Sequence, residues 1–475
     1  MADVVRQAAI SRGDQPALRT RDRAVTWADL DAWVSGVAGF LAPLGGPVAI
    51  ALPNIPEFAA AYFGALRAGL VAVPVNPGFA ARELRHVLTD SGATTLIATQ
   101  EVLDLVEGPA NRILPTALPS SGTFTAVHHD LAVLLYTSGT SGTPKGAMLT
   151  HRALLANHEQ VAALAPAPVG PSDVVLLALP LFHAYGLNSG LGAVAYHGAC
   201  GVLEERFDPA GTLALVAATG VTTVVGVPPM FIAWSRSAEL ASAWGTVHTT
   251  VCGAAPLPDE VARRFSDTTG KPVHQGYGLT EAAPVLTSTL ASPTVKPGSI
   301  GRAIPGVSLR LVDPTGAVVD HGDDDDGGDP GEIVVRGDNL FQGYWPDALD
   351  GPGPDGWWAT GDVAYADEDG DLFLVDRIGD LILVSGFNVY PREVEQVVDE
   401  HPGVTESAAT GIPHPYTGQT VKLYVVRSPG TEVTTAELLA YCEKNLARFK
   451  CPTVVEFVRS LPHSATGKVR KSALS

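Results

Sequence analysis

The chain of 475 residues is poor in charge and in cysteine, and each shortage removes a class of function. Charged residues make up 17%, and the 31 Lys and Arg are outnumbered by 50 Asp and Glu, for a formal net charge of −19. Such a chain has no cationic surplus with which to hold nucleic acid or an anionic membrane, since both need clustered Lys and Arg. Local binding of a nucleotide stays open. The four cysteines, Cys200, Cys252, Cys442 and Cys451, are scattered and form no CxxC pair, which points to a reduced, cytoplasmic protein. No basic segment followed by an apolar one opens the sequence, so no signal peptide is expected. No long hydrophobic run exists either. The most apolar early stretch, Val34 to Pro53, is broken by Pro43, Gly45, Gly46 and Pro47, too short a run for a membrane span. What is abundant is apolar residue, 46%, in a chain too long for one ordinary domain.

One run organises the rest. Leu131 to Tyr136 reads as a buried strand, and Thr137-Ser138-Gly139-Thr140-Ser141-Gly142-Thr143-Pro144-Lys145-Gly146 follows it. Three glycines, five hydroxyls and one lysine in ten residues suit an anion cradle: backbone N–H groups approach a phosphate, hydroxyls donate to it, and Lys145 adds charge. A plain flexible linker needs neither the lysine nor the strand. The loop is not a Walker A loop, because Pro144 precedes Lys145 and Gly146 follows it. Nor is it a G-x-S-x-G nucleophile elbow, because Gly142 follows Ser141 directly.

Around it, helix-like and strand-like segments alternate. A helix is expected over Ala28 to Leu41, a strand over Val48 to Leu52, a helix over Glu57 to Ala68 and a strand over Leu70 to Val75. Thr150 is placed to cap a helix from His151 to Leu164. Residues 296–376 have the Gly, Pro and β-branched spacing of a small antiparallel β unit, with Asp323 to Asp326 in an exposed hairpin loop. From Ile378 the pattern becomes a short α+β unit, in which Pro391 opens a helix.

The run 137–146 resembles the first signature of the adenylate-forming superfamily of acyl-CoA synthetases, luciferases and adenylation domains. Further segments resemble the superfamily's later motifs in order: Gly276-Tyr277-Gly278-Leu279-Thr280-Glu281, Thr360-Gly361-Asp362, Asp376-Arg377, the strand–turn–helix from Ser385 to Glu395, and Thr466-Gly467-Lys468. The resemblance covers essentially the whole chain. It implies an N-terminal adenylate-forming domain over 1–377, of two α/β subdomains and a small β-barrel, and a mobile α+β lid domain over 378–475. It implies ATP, Mg2+ and coenzyme A as cofactors, and a carboxylic acid as substrate. It gives Lys468 the bridge between carboxylate and α-phosphate, Thr280 a bond to the α-phosphate, and Glu281 the Mg2+. Tyr277 would stack on adenine beside Gly276 and Gly278, with Gly253, Ala254 and Ala255 against the base. Asp362 and Arg377 would hold ribose and phosphate, and Ser385, Gly386 and Phe387 would face coenzyme A. His183 would border the carboxylate, with Phe182, Tyr185, Val227, Met230 and Phe231 lining the acid tunnel and an aromatic gate at Phe231.

Absences refine the substrate. Amino-acid-activating relatives carry an Asp in the segment 180–191, and none is present. No charge is expected to be buried in the apolar segment 182–301, which suits a fatty acid of medium or long chain. An aryl- or short-acid ligase, a β-lactone-forming synthetase and a luciferase-like enzyme are the rivals within the superfamily. A non-catalytic nucleotide-binding protein is disfavoured because Lys468 and Glu281 are both present. The chain departs from the superfamily at Gly379, where Asp or Lys usually marks the hinge. Monomer and homodimer are both open.

Overall fold

The computed structural model describes the chain except residues 138–143, 320–328, 378–380, 385–386, 416, 465–466 and 475, and except the side chains of residues 376, 377, 387, 388 and 472. The tip of the phosphate loop (Ser138 to Thr143), the run Asp323 to Asp326, Gly379, Ser385 and Gly386 therefore lie outside the described residues, as do the side chains of Arg377 and Phe387. Contacts divide the chain into two compact units, Met1–Ser308 with Arg336–Trp358, and Leu309–Val335 with Ala359–Ser475. Residues 309–335 and 359–377, grouped by sequence with the first domain, cluster with the later residues.

The first unit is built on two sheets. In the six-stranded sheet, Asn111–Ile113, Thr95–Ala98, Val48–Ala51, Ala72–Pro74 and Leu131–Thr137 run parallel, and Lys145–Thr150 closes the edge antiparallel. Parallel strands covered on both faces read as unbroken apolar runs. Val48–Ala51 is buried at every residue, and the helix Pro56–Arg67 is buried at all but one. In the nine-stranded sheet, six neighbouring strands are parallel: His274–Gly278, Thr249–Cys252, Thr223–Gly226, Val174–Leu177, Cys200–Leu203 and Pro16–Arg19. Val285–Ser288 and Ala24–Thr26 flank them antiparallel. Open parallel sheets bind ligands beyond the carboxyl ends of their strands. The phosphate-loop, Gly253 and Glu281 segments all leave such ends.

Local signals held. Thr150 accepts a hydrogen bond from the Ala153 N–H and starts the helix His151–Ala162, and Pro391 starts the helix Pro391–Asp399. One expectation fails. Two charges in 182–301 are buried, Glu204 and Glu281, each 8% exposed. Glu204 tolerates burial because Arg21 reaches it at 2.9 Å. Glu281 belongs to the site described below.

The second unit carries a four-stranded sheet of Ser308–Val312, Gly331–Arg336, Trp358–Ala366 and Leu372–Arg377. It also carries an α+β sheet in which Gly418–Arg427 pairs with Val404–His414, Ile382–Val384 and Val454–Val458. Val394, Val398 and Leu438 from the helices Pro391–Asp399 and Thr435–Asn445 pack onto Ile382 and Leu423 of that sheet.

Candidate active site

The two arms of the phosphate loop form an antiparallel pair that sets Thr137 opposite Lys145. Side chains of the helix Ala81–Asp90 fasten both arms. Tyr136 Oη donates to Asp90 Oδ2 at 2.6 Å, and His86 Nε2 donates to the Pro144 carbonyl at 3.0 Å. Burial, then the bond to Asp90, pushes the Tyr136 phenol pKa up, so it stays a donor. Lys145 is 44% exposed; its ammonium meets Asp350 at 3.2 Å and lies 5.0 Å from the centre of the Tyr344 ring.

The second motif is a strand and a tight turn. Leu279 N–H donates to the Pro284 carbonyl at 2.9 Å, closing a turn that contains Thr280, Glu281 and Ala282. Ala283 sits there at φ +62, a backbone region that costs a non-glycine residue energy. Three buried asparagines hold the turn. Asn339 Nδ2 donates to the Ala282 carbonyl (2.7 Å), Asn188 Nδ2 to the Ala283 carbonyl (2.6 Å), and Asn157 Nδ2 to the Val285 carbonyl (2.8 Å). Glu281 accepts from Tyr344 Oη at 2.6 Å. Gly278 has to be glycine, because a Cβ would collide with the Pro284 carbonyl oxygen. Tyr277 is 9% exposed, between Gly276 and Gly278 on the strand.

A third segment leaves the neighbouring strand Thr249–Cys252. Gly253 donates to the Gly226 carbonyl at 3.1 Å, Ala254 takes φ +70, and Ala255 follows. The Tyr185 ring presses on Gly253, where a Cβ would lie 2.9 Å from the ring. The expected acid wall and the expected adenine platform therefore meet. Tyr185 opens a π-helical segment, Tyr185–Gly192, a rare geometry that recurs at functional sites. Just before it, His183 N–H donates to the Pro180 carbonyl (3.1 Å) and the His183 carbonyl accepts from Leu187 N–H (2.8 Å). Phe182 beside it is half-buried.

Val227 and Met230 are buried, and Phe231 is fully so. Phe231 meets Trp234 and Phe265 edge-on, at 5.7 and 5.3 Å between ring centres. That is the packing of a core residue, not of a gate. Phe231→Ala is expected to cost about 3–5 kcal/mol of stability. Thermal unfolding checks it, and an acyl-length profile that changes at unaltered stability would return the residue to the tunnel mouth.

In the second unit Asp362 and Arg377 are direct partners across an antiparallel strand pair. Asp362 is 5% exposed, and its N–H donates to Thr360 Oγ1 at 3.1 Å. Lys468 is exposed on a turn in which Ser464 N–H donates to the Lys468 carbonyl (2.7 Å) and Lys468 N–H to Ser464 Oγ (3.1 Å). The ion pair of Lys471 with Glu395 at 2.9 Å and the contact of His463 Nε2 with Glu406 at 3.1 Å tie this segment to its unit.

The model of the AMP-binding enzyme family matches residues 5–345, and that of the AMP-binding enzyme C-terminal domain matches residues 393–468. The chain belongs to the AMP-binding enzyme family. A long-chain-fatty-acid–CoA ligase of Yersinia pestis is 35% identical over 532 aligned residues, covering 100% of this chain and 93% of the relative. A feruloyl-CoA synthase of Amycolatopsis is 38% identical, covering 96% of this chain and 94% of its own. Among solved structures, ATP-bound MatB from Rhodopseudomonas palustris superposes with a TM-score of 0.89 at 32% identity, covering 100% of this chain and 98% of that one. The family is one of acid–thiol ligases, large N-terminal domain first and small C-terminal domain after it.

Sequence reasoning on this AMP-binding enzyme missed Tyr344, His86, Asp90 and the three asparagines. A Gly-Tyr-Trp run after a strand (Gly343 to Trp345) and an Asn in an apolar helix were the available signals. Neither says what it touches.

Proposed function

We propose that this AMP-binding enzyme activates a fatty acid of medium or long chain. The acid's carboxylate oxygen attacks the α-phosphorus of ATP, giving acyl-AMP and pyrophosphate. The thiol of coenzyme A then takes the acyl group and AMP leaves. The observation that carries this reading is the joint mounting of a phosphate-loop lysine and a buried carboxylate, Lys145 and Glu281, on one tyrosine. In transfer to phosphorus, positioning and charge neutralisation supply most of the catalysis.

Glu281 offers a hard carboxylate oxygen in a buried place, the donor type that suits Mg2+. When bound there, Mg2+ would neutralise charge on the phosphates. Lys145 and the hydroxyls of Thr137, Ser138, Thr140, Ser141 and Thr143 bind the phosphate oxygens, and Thr280 the α-phosphate. Tyr277, with Gly276 and Gly278, and the Gly253-Ala254-Ala255 segment take the adenine, while Asp362 and Arg377 hold the ribose. Lys468 bridges carboxylate and α-phosphate in the first half-reaction, and His183 borders the acid. Ser385, Gly386 and Phe387 serve coenzyme A in the second, with the swivel at Gly379. The lid is residues 378–475, and the enzyme works in the cytoplasm. No helix among the described residues is long and apolar enough to cross a membrane.

A fatty acid is supported by the run Phe182 to Leu187, apolar or aromatic but for His183, and by the ligase names of the relatives. An aryl acid is the rival, supported by the feruloyl-CoA synthase likeness. Pyrophosphate release across a panel of acids, with and without coenzyme A, separates them. Medium- or long-chain fatty acids should turn over fastest, and a faster cinnamate-type acid would install the rival.

The ribose assignment has its own test. Asp362→Ala is expected to weaken apparent ATP affinity about 10-fold or more, the worth of a hydrogen bond to a charged group, with the fold intact. An unaltered ATP affinity would remove Asp362 from the site.

A further inference from the structure

The segment from Phe341 to Trp345 runs between the phosphate loop and Glu281. Phe341 N–H donates to the Glu281 carbonyl at 2.8 Å. Gln342 N–H donates to the Met148 carbonyl and Met148 N–H to the Gly343 carbonyl, both at 3.0 Å. Trp345 N–H reaches the Gly146 carbonyl at 2.8 Å, and its indole N–H reaches the Asp90 carbonyl at 2.9 Å. Tyr344 sits in the middle of this brace and opposite Ala147. Its hydroxyl touches Glu281 and its ring faces the Lys145 ammonium.

A buried carboxylate without partners pays the full cost of leaving water. Glu281 Oε1 is supplied by Tyr344 at a length typical of a charge-assisted O–H···O bond. Among the described residues Oε2 carries no hydrogen bond. The hydroxyl thus fixes which oxygen is engaged and which is presented. Over the face of the ring, Lys145 is held by a cation–π contact and by Asp350, which is 67% exposed. An exposed ion pair is weak, so an arriving phosphate displaces Asp350 at little cost, while the ring keeps the ammonium in place.

We propose that Tyr344 is a positioning residue that sets the phosphate-loop cation and the metal-holding carboxylate at one fixed spacing, the hydroxyl orienting Glu281 and the ring seating Lys145. The inference rests on the reading of Glu281 as the metal residue. Partners of this kind, one step behind a metal ligand, are worth about 10- to 100-fold in metal affinity.

The test uses the whole protein with ATP, no acid, and Mn2+ as the paramagnetic probe. Tyr344→Phe keeps the ring and loses only the hydroxyl. Mn2+ affinity should fall about 10-fold, while ATP affinity measured in a chelator stays at the parental value and the melting temperature drops modestly, because the buried Glu281 carboxylate loses its donor. Tyr344→Leu should also weaken metal-free ATP binding by about two- to five-fold, through loss of the ring under Lys145. Glu281→Gln runs beside them. Parental Mn2+ affinity in Glu281→Gln would overturn the metal reading itself. Weakened Mn2+ binding in Glu281→Gln but not in Tyr344→Phe would overturn the role of Tyr344 alone. An equal fall of metal-free ATP affinity and Mn2+ affinity in Tyr344→Phe would reduce Tyr344 to a packing residue and overturn the proposal as well.

Discussion

Lys468→Ala is expected to lower adenylation by about 10²-fold or more, the scale of removing one preorganised electrostatic donor. Acyl transfer to coenzyme A from supplied acyl-AMP should survive. The asymmetry follows from the chemistry. An ammonium between a carboxylate and a phosphate stabilises the crowding of negative charge as they combine, and the thioester step has no such crowding. The fold should not suffer. The Lys468 side chain is exposed, and its turn is closed through backbone groups and Ser464, which alanine leaves intact. Pyrophosphate exchange and thioester release, measured separately, decide it. Equal loss in both would remove Lys468 from its assigned place.

Gly278→Ala should be the most damaging small substitution in the site. The added methyl would collide with the Pro284 carbonyl oxygen, which accepts the Leu279 N–H and so closes the turn around Glu281. Neither side can yield cheaply. Pro284 is followed by Val285, whose N–H and carbonyl are both taken by Asn157. Forced overpacking costs about 1–3 kcal/mol, and a displacement of the order of 1 Å at a reacting centre costs about 10²-fold in rate. The expected result is a lower melting temperature together with a loss of adenylation larger than the instability explains. A variant with parental pyrophosphate exchange would show that the turn tolerates the shift.

The difference between what could and could not be read in advance has a physical origin. Segments whose chemistry is local were legible. The strand into the phosphate loop, the Thr150 cap and the Gly276 to Glu281 run each declare themselves within a few residues. Contacts made by the fold were not. Tyr344 stands 63 residues beyond Glu281, and His86 stands 58 before Pro144. Only sheet assembly brings either pair together. Phe231 shows a different limit. An aromatic after a buried strand has the same sequence appearance in a ligand wall and in a core, and what decides is its company, Trp234 one turn on along the same helix and Phe265 from the distant helix Asp259–Thr269. The buried Glu204 was missed for a like reason, since its partner Arg21 lies 183 residues away.

The frame around the Glu281 turn is made of neutral amides, Asn157, Asn188 and Asn339, whereas the ion pair of Lys471 with Glu395 helps fasten the Lys468 segment. Dissolved salt screens exposed charges within about 10 Å at 0.1 M and leaves buried amide bonds almost untouched. Ionic strength therefore acts on the two frames unequally. The amides around the Glu281 turn are indifferent to it, while the Lys471–Glu395 pair, its side chains 20% and 16% exposed, is screened less than a surface pair and gives only a little as salt rises.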